Sequence, residues 1–132
     1  MPPKTRRATR PSIILGETDA ERLYRLAEQA SGVATSSALL GELDRATIRP
    51  DHLVPDTVVG MNSTVEFIDE THGEIRTLQL VYPAQADIAA DRISVLAPVG
   101  VGLIGLKEGK SIDWPDRDGK VRTLRVLKVV RD

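Results

Sequence analysis

Two hydrophobic periods divide this chain. From Glu17 to about Ile48 apolar residues recur at steps of three and four: Ala20, Leu23, Ala27 and Ala30 form a stripe that Leu26 widens, the pattern of an amphipathic helix. Thr18 and Glu21 have the spacing of a capping box, which satisfies two orphan amides at a helix start. Gly32 stands where a helix C-terminus favours glycine. Thr35, Ser36 or Ser37 can cap a second helix with the stripe Leu39, Leu40, Leu43, Ala46 and Thr47, and Pro50 stops it. Two helices of about 12 residues, joined by about five, predict a short antiparallel hairpin of the coiled-coil kind, each arm about 18 Å long.

From Val58 the period changes to two and β-branched residues take over. The expected strands are Val58–Met61, Thr64–Ile68, Glu74–Tyr82, Ile93–Leu96, Ser111–Trp114 and Val121–Val130. A turn falls at His72-Gly73, a loop with a helical turn over Ala84–Arg92, and a short helix over Val99–Leu106. The stretches Ile75–Val81 and Val121–Leu127 share one pattern, that of two long strands under similar demands. The fold class is therefore α+β by segregation, a helical hairpin followed by a small antiparallel sheet holding one short helix. Three parts are expected: a basic, disordered arm over 1–12, the hairpin over 13–50 and the β domain over 51–132.

Composition narrows the functions open to such a fold. The chain has 132 residues, 41% of them hydrophobic, but its aromatic side chains are only Phe67, Tyr24, Tyr82 and Trp114. The core must be aliphatic, which counts against base-stacking platforms and proline-binding grooves. There is no cysteine, which removes disulfides, thiolate catalysis and cysteine metal sites. No apolar run reaches the roughly 18 residues of a membrane span, and the basic start lacks the apolar segment of a secretory signal; a cytoplasmic protein is expected. Net charge is −1, yet Lys4, Arg6, Arg7 and Arg10 put +4 on the first twelve residues, leaving −5 on the rest. That arm is either a solvated tail or an electrostatic tether, the candidate for weak contact with DNA or RNA.

The search for catalytic groups ends without a constellation. His52 and His72 lie 20 residues apart in turn-like sequence with no metal-ligand spacing, and Asp51, His52 and Asp56 make at most a loose cation site. Gly100-Val101-Gly102-Leu103-Ile104-Gly105 matches G-x-G-x-x-G. However, Pro98 breaks the strand before it and no βαβ unit follows, so close helix–sheet packing explains the glycines better than a dinucleotide. No serine has a nucleophile elbow or a convincing base. Asp69-Glu70 sits at a turn and reads as solvated, and Glu42 and Asp44, two apart on a helix, face different ways. No catalytic residue, metal or cofactor is expected.

Four separated segments do carry a resemblance. Gly41–Ala46, Val59-Gly60-Met61-Asn62-Ser63-Thr64-Val65, Leu80–Ala84 and the uncharged run Ile93–Gly105, in this order after a helical hairpin, resemble the GreA/GreB family of transcript cleavage factors. Within it they resemble the Rnk branch, regulators of nucleoside diphosphate kinase. The resemblance implies an FKBP-like C-terminal domain and RNA polymerase as partner, with docking on the rim of the secondary channel. Carried over, Met61, Asn62, Ser63, Ala97, Pro98, Val99, Gly100 and Leu103 would lie on or beside the docking surface. Val101 stands where Gre factors tend to have arginine. Cleavage does not carry over: the expected hairpin tip, Ser31–Ser37, has no acid, whereas metal-assisted cleavage needs carboxylates there. The expectation is a non-enzymatic regulator that competes with Gre factors. An FKBP-type peptidyl-prolyl isomerase and a nucleic-acid binder acting through the arm are the alternatives.

Overall fold

The computed structural model describes residues 11–30, 32–115 and 118–131, so Lys4, Arg6, Arg7 and Arg10 lie outside the described residues. Strand β1 (Ile14–Gly16) leads into α1 (Glu17–Gln29) and α2 (Ala34–Arg45), and β2 (Thr47–Arg49) follows. The two helices pack on each other and bury Ala20, Leu23 and Ala27 on one side, Leu39 and Leu43 on the other. β1 and β2 pair in parallel, Ile14 opposite Thr47, and close the open end of the helix pair. No periodicity announces these strands, because three residues are too few to show alternation.

Both helix starts differ from expectation. The capping box does not form; instead the Asp51 carboxylate accepts the Thr18 amide at 3.0 Å and the Thr18 hydroxyl as well. An anion supplied from beyond β2 thus meets the positive end of α1. At α2 no side chain caps the helix, and the Ser36 hydroxyl donates back to the Val33 carbonyl at 2.7 Å. Farther along α2, Glu42 is fully buried and accepts from Arg45 through Nε at 2.9 Å and Nη2 at 2.7 Å. Arg45 Nη1 also donates to the Pro11 carbonyl at 2.6 Å, so this forked, charge-assisted contact ties the chain before β1 to α2. Asp44 faces away, as its spacing requires, and accepts from the Tyr24 hydroxyl at 2.9 Å.

The remaining elements are β3 (Thr64–Asp69), β4 (Glu74–Val81), β5 (Arg92–Ser94), α3 (Pro98–Leu103), β6 (Ser111–Pro115) and β7 (Val121–Val130). They form one sheet in the order β5-β4-β3-β7-β6. The sheet is mixed, which corrects the antiparallel expectation: β5 runs parallel to β4, Leu80 opposite Ile93, after the segment 82–91 returns the chain through two 3-10 turns. Val58–Met61 is not a strand. Val58 makes an isolated bridge to Lys107, and residues 60–63 turn. The two look-alike strands do meet similar demands: Ile75 and Val121 are exposed, Leu78, Leu80, Leu124 and Val126 are buried, and they part only at the last position, where Val81 is buried and Leu127 is exposed.

Alternation along β3 and β6 turns Val65, Phe67, Ile112 and Trp114 inward. On β7 the register against β3 shifts between Glu66 and Phe67, so Leu127 is the extra residue. A bulge moves later side chains to the opposite face, and Val129, not Lys128, follows Leu124 and Val126 into the core. Helix α3 packs on β6 and β7 and touches α2. One continuous apolar cluster runs from Leu23 and Leu39 through Leu103 and Ile104 to Phe67 and Val126.

The three glycines of the uncharged run make this possible. A Cβ on Gly100 would stand 2.5 Å from the Ser94 carbonyl oxygen, and one on Gly102 would stand 3.0 Å from the Trp114 ring. At Gly105, φ is +80° and a Cβ would lie 2.8 Å from that of Ile13. The Gly105 carbonyl accepts from Ile14 N–H at 3.1 Å while its own N–H donates to Val59 at 2.8 Å, joining β1 to the sheet side of the molecule.

Gly100→Ala is therefore expected to cost about 2–3 kcal/mol, because its neighbour is backbone that cannot swing away. Gly41→Ala, on open helix surface with nothing within 4 Å, is expected to gain about 0.5–1 kcal/mol. Urea unfolding of the two variants checks the ordering.

Candidate functional site

The segment 60–63 is a tight turn in which each amide has a partner. Ser63 N–H donates to the Gly60 carbonyl at 3.3 Å, and the Ser63 hydroxyl accepts from Gly60 N–H at 3.1 Å. Asn62 has φ +68°, the left-handed region that asparagine tolerates better than most residues. Its N–H donates to Leu80 at 2.6 Å, Leu80 N–H donates to Ser63 at 3.0 Å, and the Gln79 side chain donates to the Asn62 carbonyl at 3.1 Å. The turn is thus stitched to the end of β4.

Helix α3 also meets this strand. Pro98 occupies its first turn, where a fixed φ and a missing N–H are no loss. Ser94 Oγ accepts from Leu96 N–H at 3.0 Å, and Ala97 N–H donates to the Ser94 carbonyl at 2.9 Å, shaping the entry. A Cβ on Gly100 would lie 3.2 Å from the Leu80 side chain. The 60–63 turn and the start of α3 therefore both rest on Leu80, one by its backbone and the other by its side chain.

Of the eight residues expected at the docking surface, Asn62 is exposed and Ala97, Pro98 and Val99 are partly so. Met61, Ser63, Gly100 and Leu103 are buried, and Leu103 has no exposure at all. These four shape the surface from beneath; their side chains do not present on it. Val101, at the departure from the Gre pattern, is also fully buried. Ala97, Pro98 and Val99 form one wall of a cavity of about 380 Å³, whose other walls include Phe67, Ile93, Trp114 and Leu124.

A polar group at this cavity escapes the sequence reading. Asp69, expected to be solvated, is only 4% exposed and accepts from Arg122 at 2.7 Å and from Thr71 N–H at 3.0 Å, with His72 Nδ1 at 3.3 Å. The signal was present in the alternation of β3: if Val65 and Phe67 face inward, so must Asp69. Glu70 is exposed and pairs with Arg125 at 3.0 Å. Asp51 is engaged at α1, and no group of three or more His, Cys, Asp or Glu among the described residues is placed to hold a metal. No helix among the described residues is long and apolar enough to cross a membrane.

Burial works against the charged form of Asp69, but the hydrogen bonds from His72, Arg122 and the Thr71 amide prevail and hold its carboxyl below the ordinary range. A depressed folded-state value means stability that is complete above the unfolded value of about 3.9 and is lost as pH falls through the folded one. Asp69→Asn is expected to lower stability at neutral pH and to flatten the acid limb. Urea midpoints measured from about pH 7 down to about pH 2 give the test; an unchanged limb would show that Asp69 is not the group titrating.

Against known proteins, residues 11–48 match the family described as Rnk N-terminus, and residues 54–131 match the transcription elongation factor GreA/GreB C-terminal family. The "Regulator of nucleoside diphosphate kinase" of Escherichia coli K12 is 42% identical over 123 residues, covering 92% of this chain and 90% of that protein. Transcription elongation factor GreA of Azorhizobium caulinodans is 30% identical over 130 residues, covering 91% and 82%. A solved structure, "Prokaryotic transcription elongation factor GreA/GreB from Nitrosomonas europaea", is 42% identical with a TM-score of 0.74, covering 92% of this chain and 99% of that one. These relatives are named as regulators and elongation factors, not as catalysts. With the two matched segments in this order, the chain belongs to the GreA/GreB family of transcription elongation factors, in the branch that carries the Rnk N-terminus.

Proposed function

We propose that this chain is a non-enzymatic transcription regulator that docks on RNA polymerase near the secondary channel, competes there with Gre factors and does not stimulate transcript cleavage. In this reading residues 51–132 are the anchor and residues 13–50 the arm. The observation that carries it is the convergence of Asn62 and the exposed start of α3 on Leu80. Two segments far apart in sequence are thereby fixed to one strand. Lack of cleavage is supported by residues 30–37, the link and first turn between α1 and α2, which contain no Asp or Glu. It is also supported by reach: α1 has 13 residues, about 20 Å of helix. The effect on nucleoside diphosphate kinase that the E. coli relative is named for would then be indirect or run through another contact.

Competition against labelled GreA on polymerase core is the direct test. Wild type is expected to displace GreA and to leave cleavage in stalled complexes unstimulated. Val99→Glu puts a charge on the exposed wall and is expected to weaken displacement at least about tenfold, roughly 1.4 kcal/mol, without unfolding the chain. Equal displacement by both proteins, or none by either, would sink the proposal.

A second reading has one observation in its favour: Phe67 and Trp114 both line the 380 Å³ cavity beside Pro98 and Val99, whereas Tyr82 does not. A peptidyl-prolyl isomerase would need that cavity to hold a proline ring. Fold alone does not carry the activity. Isomerisation of a proline peptide well above background, abolished by Phe67→Ala, would favour it.

A further inference from the structure

Among the four amides of the 60–63 turn, that of Met61 has a partner unlike the rest. Gly60 and Ser63 bond within the turn and Asn62 bonds to β4, but Met61 N–H donates 3.1 Å to Asp19 Oδ2, on the first turn of α1. The site is built to admit that carboxylate. A Cβ on Gly60 would stand 3.3 Å from Asp19 Oδ2 and 3.5 Å from Arg131 Nη2, so a side chain there would press on both. Gly60, Val59, Asp19, Thr18, Asp51 and Arg131 share a small cavity of about 180 Å³ between α1 and the sheet.

We propose that Asp19 is the positioning residue of the docking turn: it holds the Met61 amide, keeps Asn62 in its left-handed conformation, and so couples the helical arm to the surface that meets polymerase. The coupling to polymerase rests on the docking reading above; the hold on the turn does not. A left-handed non-glycine residue persists only where its surroundings over-determine it. At Asn62 those surroundings are β4 on one side and, through Met61, α1 on the other. Burial raises the Asp19 carboxyl above its ordinary range and Asp51 adds to the rise, while the Met61 amide, Arg131 and Arg22 act the other way without cancelling it; the hold on the turn rests on the geometry of the contact. The Tyr82 phenol also feels the Asp19 charge.

The test separates acceptor, charge and general loosening. Asp19→Ala removes the acceptor, Asp19→Asn keeps an acceptor without the charge, and Thr18→Ala loosens the same helix end while leaving Met61 N–H bonded. Hydrogen exchange at Met61 and Asn62 is read in the free chain, and GreA displacement is read on polymerase core. Asp19→Ala is expected to speed Met61 exchange about tenfold beyond Thr18→Ala and to weaken displacement about three- to tenfold. Asp19→Asn should restore both. Should Asp19→Ala fail to fold, Gly60→Ala displaces the carboxylate instead and should move both readouts the same way. Unchanged Met61 exchange, or an Asp19→Asn as impaired as Asp19→Ala, overturns the hold on the turn. Faster exchange with undiminished displacement overturns the coupling. If Val99→Glu also displaces normally, it is the docking reading that has failed.

Discussion

The close approach of α3 to everything around it is the constraint on which this structure depends. A six-residue helix contributes little stability of its own; it is held by burial between the sheet and α2. That burial requires backbone where side chains would otherwise stand: Gly100 against the Ser94 carbonyl, Gly102 against Trp114, and Gly105 against Ile13. Because Gly105 also bonds to both Ile14 and Val59, the end of α3 is where the helical part and the sheet become one packed body. The G-x-G-x-x-G spacing is thus a record of three contacts with different neighbours, not of a phosphate cradle.

Carboxylates are used in a consistent way. Glu42, Asp51, Asp69 and Asp19 each fasten segments distant in sequence. Glu42 with Arg45 holds Pro11, Asp51 holds the start of α1, Asp69 holds the start of β7 through Arg122, and Asp19 holds the turn before β3. Asp69 and Glu42 are buried with charged partners, an arrangement whose removal on one side leaves an uncompensated charge. These acids are occupied by structure, which accords with the absence of any carboxylate from residues 30–37.

The proposed docking face is small and composite. Its exposed residues come from a turn and from the start of α3, and the buried Met61, Ser63, Gly100 and Leu103 determine how those residues stand. Family resemblance points to segments, while burial decides which side chains in a segment can touch a partner. The two descriptions differ at half of the eight positions because a motif records packing and contact together.

The sequence by itself determined the two helices, the order of the six elements from β3 to β7 with α3 among them, the shared face of Val65 and Phe67 on β3, and the family. These follow from periodicity, turn residues and motif spacing, all local to the chain. It misled at Val58–Met61, where β-branched residues suggested a strand and the Asn62-Ser63 turn chemistry prevailed. At Thr18–Glu21 a local cap lost to a distant carboxylate. The parallel pairings of β1 with β2 and of β4 with β5, the bulge at Leu127, the burial of Asp69 and the reach of Asp19 to Met61 were decided only by tertiary structure. Each depends on a partner many residues away, and pairing between remote segments leaves no period in either of them.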